Sequence, residues 1–129
     1  MQEAPLVFIS GASSGIGQAL ALRYAAAGWR LALLARRGEV LADWARAQGW
    51  PDEHWRVYAA DVQDVDAVAA AGRQCLQAQG LPDVVIANAG ISIGIDTAER
   101  DDLDVMRETL ATNTLGLAAT FHQIGRAHV

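Results

Sequence analysis

Near the N-terminus an apolar run, Leu6-Val7-Phe8-Ile9, leads into Ser10-Gly11-Ala12-Ser13-Ser14-Gly15-Ile16-Gly17 and then into an alanine-rich stretch. A strand, a glycine-rich turn and a helix in immediate succession leave the backbone few options. Gly11 suits the angles of a tight strand-to-helix turn, Gly15 lets the main chain come close to a ligand, and Gly17 lets the helix lie close on the strand. The first N–H groups of that helix then point at the ligand with the positive end of the helix dipole behind them. The stretch reads as a phosphate cradle. An ordinary glycine-rich turn is the alternative, and the flanking strand and helix favour the cradle.

The remaining pattern extends the same alternation. The first strand covers about Pro5 to Ser10, and a helix from about Gly15 to Ala27 sets Ile16, Leu20, Tyr24 and Ala27 along one stripe, with Gly28 as its stop. Trp29 to Ala35 is a nearly continuous apolar run, as expected of a strand buried on both faces of a parallel sheet. A helix from Gly38 to Gln48 turns Leu41, Trp44 and Ala45 inward and is broken by Gly49-Trp50-Pro51-Asp52. Strand three runs from about Trp55 to Ala60. Asp64 can cap the next helix, whose Val65, Val68, Ala69, Gly72, Cys75 and Leu76 repeat at helical spacing before Gly80-Leu81-Pro82. Strand four is Asp83 to Ala87. After a loop from Asn88 to Ala98, Glu99, Asp101, Asp102 and Asp104 crowd the start of a long helix, where negative charge is favourable.

Strands alternating with helices of this length predict an α/β fold, a Rossmann-like doubly wound parallel sheet of about four strands with helices on both faces. Right-handed crossovers put the strands in the order 3-2-1-4, with the ligand crevice at the carboxyl ends of strands one and four. The chain of 129 residues is 52% apolar, enough for one domain with a real core. A net charge of -5 without basic clusters argues against nucleic acid and anionic membrane as partners. No apolar run approaches a membrane span, and the short N-terminal run lacks the basic flank of a secretory leader. The lone Cys75 allows no internal disulfide, so a cytoplasmic location is expected. Cys75 itself reads as a small core residue on the apolar face of its helix.

Cofactor choice is legible at the end of strand two. An NAD site there carries an Asp or Glu about twenty residues past the glycine loop, for the ribose hydroxyls. This chain has Ala35-Arg36-Arg37. Loss of the carboxylate removes a repulsion against a 2′-phosphate, and a guanidinium supplies a forked partner for it. The expectation is NADP rather than NAD, with Arg36 first, Arg37 second and Ser13 as a hydroxyl contact. The alternative is that two arginines simply begin a solvated helix.

The glycine spacing departs from G-x-G-x-x-G and from the P-loop, since no Lys follows the last glycine. Ser10 to Gly17 resembles the T-G-x-x-x-G-x-G motif of the short-chain dehydrogenase/reductase family, with Ser10 where Thr is more usual. Asn88-Ala89-Gly90 is similar to that family's N-N-A-G, with Ala87 in place of the first Asn. The resemblance assigns Gly11, Ser13, Ser14, Gly15, Ile16 and Gly17 to the cofactor. It implies that Asp61 contacts the adenine amino group and that Val62 packs on the ring, although Asp61 reads equally well as a turn residue before the next helix. It further implies that Ala89 and Gly90 admit the nicotinamide ribose, and that Asn88 bridges neighbouring strands through its amide; a simple end-of-strand turn is the alternative. In the last helix Asn113 lies among the apolar positions Leu103, Met106, Leu110, Leu117 and Phe121. A carboxamide there needs a buried partner. With Gly116 it matches the family's N-x-x-G, whose Asn belongs to a catalytic Asn-Ser-Tyr-Lys tetrad; the alternative is a satisfied core amide.

That tetrad needs a Tyr acid with a Lys four residues later, the ammonium lowering the phenol pKa. The chain has no Lys, its ten cationic residues all being Arg, and Tyr24 and Tyr58 fall away from the expected crevice. The resemblance thus covers nearly all of this chain but about half of the family's domain. Residues 1–129 are expected to be the N-terminal half of an NAD(P)-binding Rossmann domain, inactive alone. The complete protein is expected to be a homo-oligomer moving hydride between nicotinamide and a small-molecule carbonyl or secondary alcohol. A dinucleotide-binding module or pseudoenzyme without catalysis is the second reading. Residues 124–129, Ile-Gly-Arg-Ala-His-Val, break the apolar stripe and read as ATC GGA AGA GCA CAC GTC, which resembles a common sequencing-library adapter; its preceding AG completes a codon for Gln123. A non-native tail is therefore expected.

Overall fold

The computed structural model describes residues 3–88. Four strands, β1 (Leu6–Ser10), β2 (Arg30–Ala35), β3 (Trp55–Ala59) and β4 (Val84–Ala87), form one parallel sheet in the order β3-β2-β1-β4, as the alternation requires. Helices α1 (Gly15–Ala26), α2 (Gly38–Ala47) and α3 (Val65–Ala78) link them in turn.

Each central strand is apolar apart from one polar end residue, Ser10 in β1 and Arg30 in β2, because each of its faces is covered. Leu6 and Phe8 of β1 join Ala32 and Leu34 of β2, Tyr58 of β3, and Val68, Ala71 and Cys75 of α3 in one core. Val7 and Ile9 alternate to the opposite face, with Leu31, Leu33 and Ala35 of β2, Ala21 of α1, and Leu41 and Ala45 of α2. The period of two along the strands thus divides one sequence run between two cores.

The amino-terminal end of the sheet is closed by a polar clasp. Arg30 donates from Nε to the Ala4 carbonyl at 2.9 Å and from Nη1 to the Gln79 carbonyl at 2.7 Å. The Gln79 amide donates to Leu31 O at 2.9 Å and accepts from the Tyr58 hydroxyl at 2.9 Å. Asp83 accepts the Leu6 N–H at 2.9 Å and returns its own N–H to Leu6 O at 2.8 Å.

Several local expectations change, β4 starting at Val84 rather than Asp83 and β3 ending at Ala59 rather than Ala60 among them. Pro5 has no N–H to give, and the Trp29 N–H goes to Tyr24 O at 3.0 Å, closing the end of α1, so β1 and β2 each start one residue late. The segment after α2 contains a 3-10 turn over Asp52–His54, where His54 N–H bonds Pro51 O at 2.9 Å. Ile16, placed on the inner stripe by spacing alone, is 69% exposed; the face of α1 that meets the sheet carries Gly17 and Ala21, with Leu20, Tyr24 and Ala25 beside them. Val65 is likewise outward at 58%, and Ala71 takes an inner position on α3. In the first turn of a helix the residues just past the cap lie over the loop rather than over the sheet.

Candidate functional site

The carboxyl ends of β1 and β4 lie side by side, Ser10 in register with Ala87, so the next residues of each strand, Gly11 and Asn88, meet at the open end of the sheet. Gly11 has φ +64°, and a Cβ built on it would stand 2.0 Å from the Asn88 carbonyl oxygen. Conformation and space both demand glycine. A Cβ on Gly17 would stand 2.3 Å from Gly11 O and 2.8 Å from Ala12 Cα, so α1 can begin against its own turn only without that side chain. Gly15 differs from both. Nothing lies within 4 Å of its notional Cβ, and its φ is not left-handed.

A side-chain latch holds this geometry. Ser14, the N-cap of α1, accepts the Gly17 N–H at 3.0 Å and donates its hydroxyl to Gly11 O at 2.9 Å. Asn88 Nδ2 donates to Ser14 Oγ at 2.8 Å and to Gly11 O at 3.3 Å. One donor and two acceptor sites are all a hydroxyl has, and Ser14 has used each. Its side chain therefore shapes the loop and has no hydrogen bond left for a ligand. Asn88 does bridge two strand ends, through the turn after β1. Beneath them the buried Ser10 donates its hydroxyl to Ile86 O at 3.4 Å.

Facing outward from the same turn are Ser13, Gly15 and Ile16, all exposed. The N–H groups of Gly15 and Ile16 find no acceptor among the described residues. That is the normal state of the first turn of a helix. The result is a rim of free donors, with no Cβ on Gly15 to obstruct them and the positive end of α1 behind, which fits a pyrophosphate.

Around the rim, β2 ends at Ala35 and is followed by Arg36 and Arg37, both exposed and neither with a carboxylate partner among the described residues, whereas Arg30 and Arg46 each have one. Arg37 is the N-cap of α2 and makes no side-chain capping bond. Asp61 Oδ1 accepts the Gln63 N–H at 3.0 Å and Asp61 O accepts the Asp64 N–H at 2.9 Å, so Asp61 does form the turn into α3, with Oδ2 left over. Val62 is half-buried against the core around Phe8 and Tyr58. Ala89, Gly90, Asn113 and residues 124–129 lie outside the described residues.

Neither described tyrosine serves the crevice. The Tyr58 hydroxyl is bonded to Gln79 at the closed end of the sheet, and burial pushes its pKa up, opposite to what a proton donor at neutral pH needs. Tyr24 packs edge-on against Trp29, with ring centroids 4.9 Å apart, at the far end of α1.

A parallel sheet in this order, with a glycine loop turning from β1 into a helix at the switch point, defines a Rossmann-type NAD(P)-binding fold. The profile of the short chain dehydrogenase family matches residues 5–127, and the chain belongs to that oxidoreductase family. It is 37% identical over 119 residues to a sulfoacetaldehyde reductase of Chromohalobacter salexigens, covering 92% of this chain and 46% of that protein. It is 39% identical over 100 residues to a 3-dehydrosphinganine reductase of Arabidopsis thaliana, covering 77% of this chain and 29% of the relative. Among solved structures, an alcohol dehydrogenase from Thermococcus sibiricus complexed with 5-hydroxy-NADP superimposes with a TM-score of 0.77 at 28% identity, covering 94% of this chain and 53% of that one. The chain thus spans about half the length, or less, of the relatives it matches. Among the described residues no helix is long and apolar enough to cross a membrane.

Proposed function

We propose that this chain is the cofactor-binding half of an NADP-dependent reductase or dehydrogenase acting on a small-molecule carbonyl or secondary alcohol. The observation that carries the cofactor choice is the exposed pair Arg36-Arg37, without acidic partner among the described residues, where an NAD site holds a carboxylate. When bound, the dinucleotide supplies hydride at C4 of its nicotinamide. The residues of this chain bind and orient it. Gly15 and Ile16 N–H groups receive the pyrophosphate, and Arg36, backed by Arg37 and the Ser13 hydroxyl, receives the 2′-phosphate. Asp61 and Val62 take the adenine contacts and Ala89 and Gly90 admit the nicotinamide ribose, as the family pattern implies, while Asn88 braces the turn beside them and Asn113 joins the catalytic group.

Titration of the complete gene product with NADPH and NADH tests this reading. A charge-assisted hydrogen bond is worth roughly 1.5–3 kcal/mol, so Arg36→Ala should weaken NADPH by about ten- to a hundred-fold and NADH little. Equal affinity of the unaltered protein for the two coenzymes overturns it. The second reading is a dinucleotide-binding module without chemistry; Asn113 with Gly116, in the family's N-x-x-G pattern, favours the enzyme. The coding sequence downstream distinguishes them, a Ser followed by Tyr-x-x-x-Lys identifying the enzyme and a genuine stop codon the module.

A further inference from the structure

The helix that follows the arginine pair starts badly by local rules. Its N-cap is Arg37, which makes no capping bond and brings a cation to the positive end of a helix dipole, and its first residue is Gly38. Glu39 in the first turn offsets part of the charge. Such breaches of local preference mark positions committed to something else.

The contact made by Gly38 supplies the reason. A Cβ built there would stand 2.9 Å from Ala59 Cβ and 3.6 Å from Ala59 Cα. The neighbour is rigid, being attached directly to the backbone of β3. Ala59 is also in register with Ala35, the last residue of β2, and Ala60 N–H bonds Ala35 O at 3.1 Å. The two-residue arm of Arg36 and Arg37 is therefore pinned at both ends to the same point of β3, by the ladder at Ala35 and by the close contact at Gly38. Moving Gly38 moves the arm.

We propose that Gly38, with Ala59 opposite it, is a positioning residue for coenzyme choice, its missing side chain holding the start of α2 where Arg36 and Arg37 meet a 2′-phosphate. The proposal rests on the NADP reading above. Ordinary contact begins near 3.4 Å, so an added Cβ drives the arm away by about 0.5 Å. The pyrophosphate cradle lies on a different turn and does not move with it.

In the complete gene product, NADPH and NADH affinities are measured for Gly38→Ala, for Ala59→Val, which enlarges the same contact from the exposed β3 side, and for the double variant Gly38→Ala with Ala59→Gly. Displacement of this size in a charged, forked site is expected to lower the NADPH-to-NADH preference roughly ten-fold in each single variant, with NADH binding unchanged. The double variant should restore the preference. A wild-type ratio in either single variant, an equal loss of both coenzymes, or no restoration in the double variant overturns the proposal. Arg36→Ala separates the two levels. If it abolishes a preference that Gly38→Ala and Ala59→Val leave intact, only the positioning role fails; if the unaltered protein has no preference, the NADP reading fails with it.

Discussion

Gly11 and Gly15 occupy equivalent places in a motif but opposite places in the structure, and alanine at each should separate what the fold needs from what a ligand needs. At Gly11, alanine must adopt φ +64°, which costs an L-residue roughly 1–2 kcal/mol. Its Cβ would also overlap the Asn88 carbonyl at 2.0 Å, and forced expansion against backbone costs about 1–3 kcal/mol more. Any retreat of Asn88 stretches its bonds to Ser14 and Gly11, worth about 1 kcal/mol together. The sum, roughly 3–6 kcal/mol, is a large share of the 5–15 kcal/mol that holds a typical domain. At Gly15 nothing lies within 4 Å and the backbone is already suited to an L-residue, so alanine should change stability by between 0 and about 1 kcal/mol in the favourable direction. Urea unfolding of the complete gene product, with unchanged slope, reads the first effect, and coenzyme titration reads the second. Gly15→Ala should keep or raise its midpoint and lose affinity for either dinucleotide. A loss below about 1 kcal/mol in Gly11→Ala, or comparable destabilisation by both, refutes the assignment of these glycines.

Burial raises the Cys75 thiol from an ordinary value near 9 to about 11 and raises the Tyr58 phenol in the same sense. The folded state therefore holds these protons more tightly than the unfolded chain; the Cys75 contribution is complete below pH 9 and is lost as the pH climbs from about 9 towards 11, and that of Tyr58 is lost at higher pH. Stability should fall there by up to about 1.4 kcal/mol per pH unit, and Cys75→Ala should flatten the fall below pH 10; parallel curves for the two proteins would contradict this. Adapter-free sequencing of the source locus is expected to replace residues 124–129 and to continue into a Ser and a Tyr-x-x-x-Lys. Recovery of Ile124 to Val129 followed by a stop would reject the tail and favour the non-catalytic module.

Much of the architecture follows from local pattern joined to a general rule of topology. Apolar runs of five or six residues alternate with helical spacing, crossovers are right-handed, and the order β3-β2-β1-β4 with the crevice at Gly11 and Asn88 is then almost forced. Chemistry visible in residue type alone, such as the arginines in place of an acid after Ala35, needed no coordinates either. Tertiary structure decided what depends on partners distant in the chain. Asn88 meets Ser14 across 74 residues and Gly11 across 77, and these contacts commit the Ser14 hydroxyl to the loop. Periodicity put Ile16 on the inner stripe of α1, but the angle at which the helix leaves its turn exposes it. Gly38 passed for an unremarkable helix start because its meaning lies in Ala59, a residue on another strand. Composition and spacing report which face of an element is apolar; which atoms close on which depends on how rigid elements dock, and that is settled only when the whole sheet is assembled.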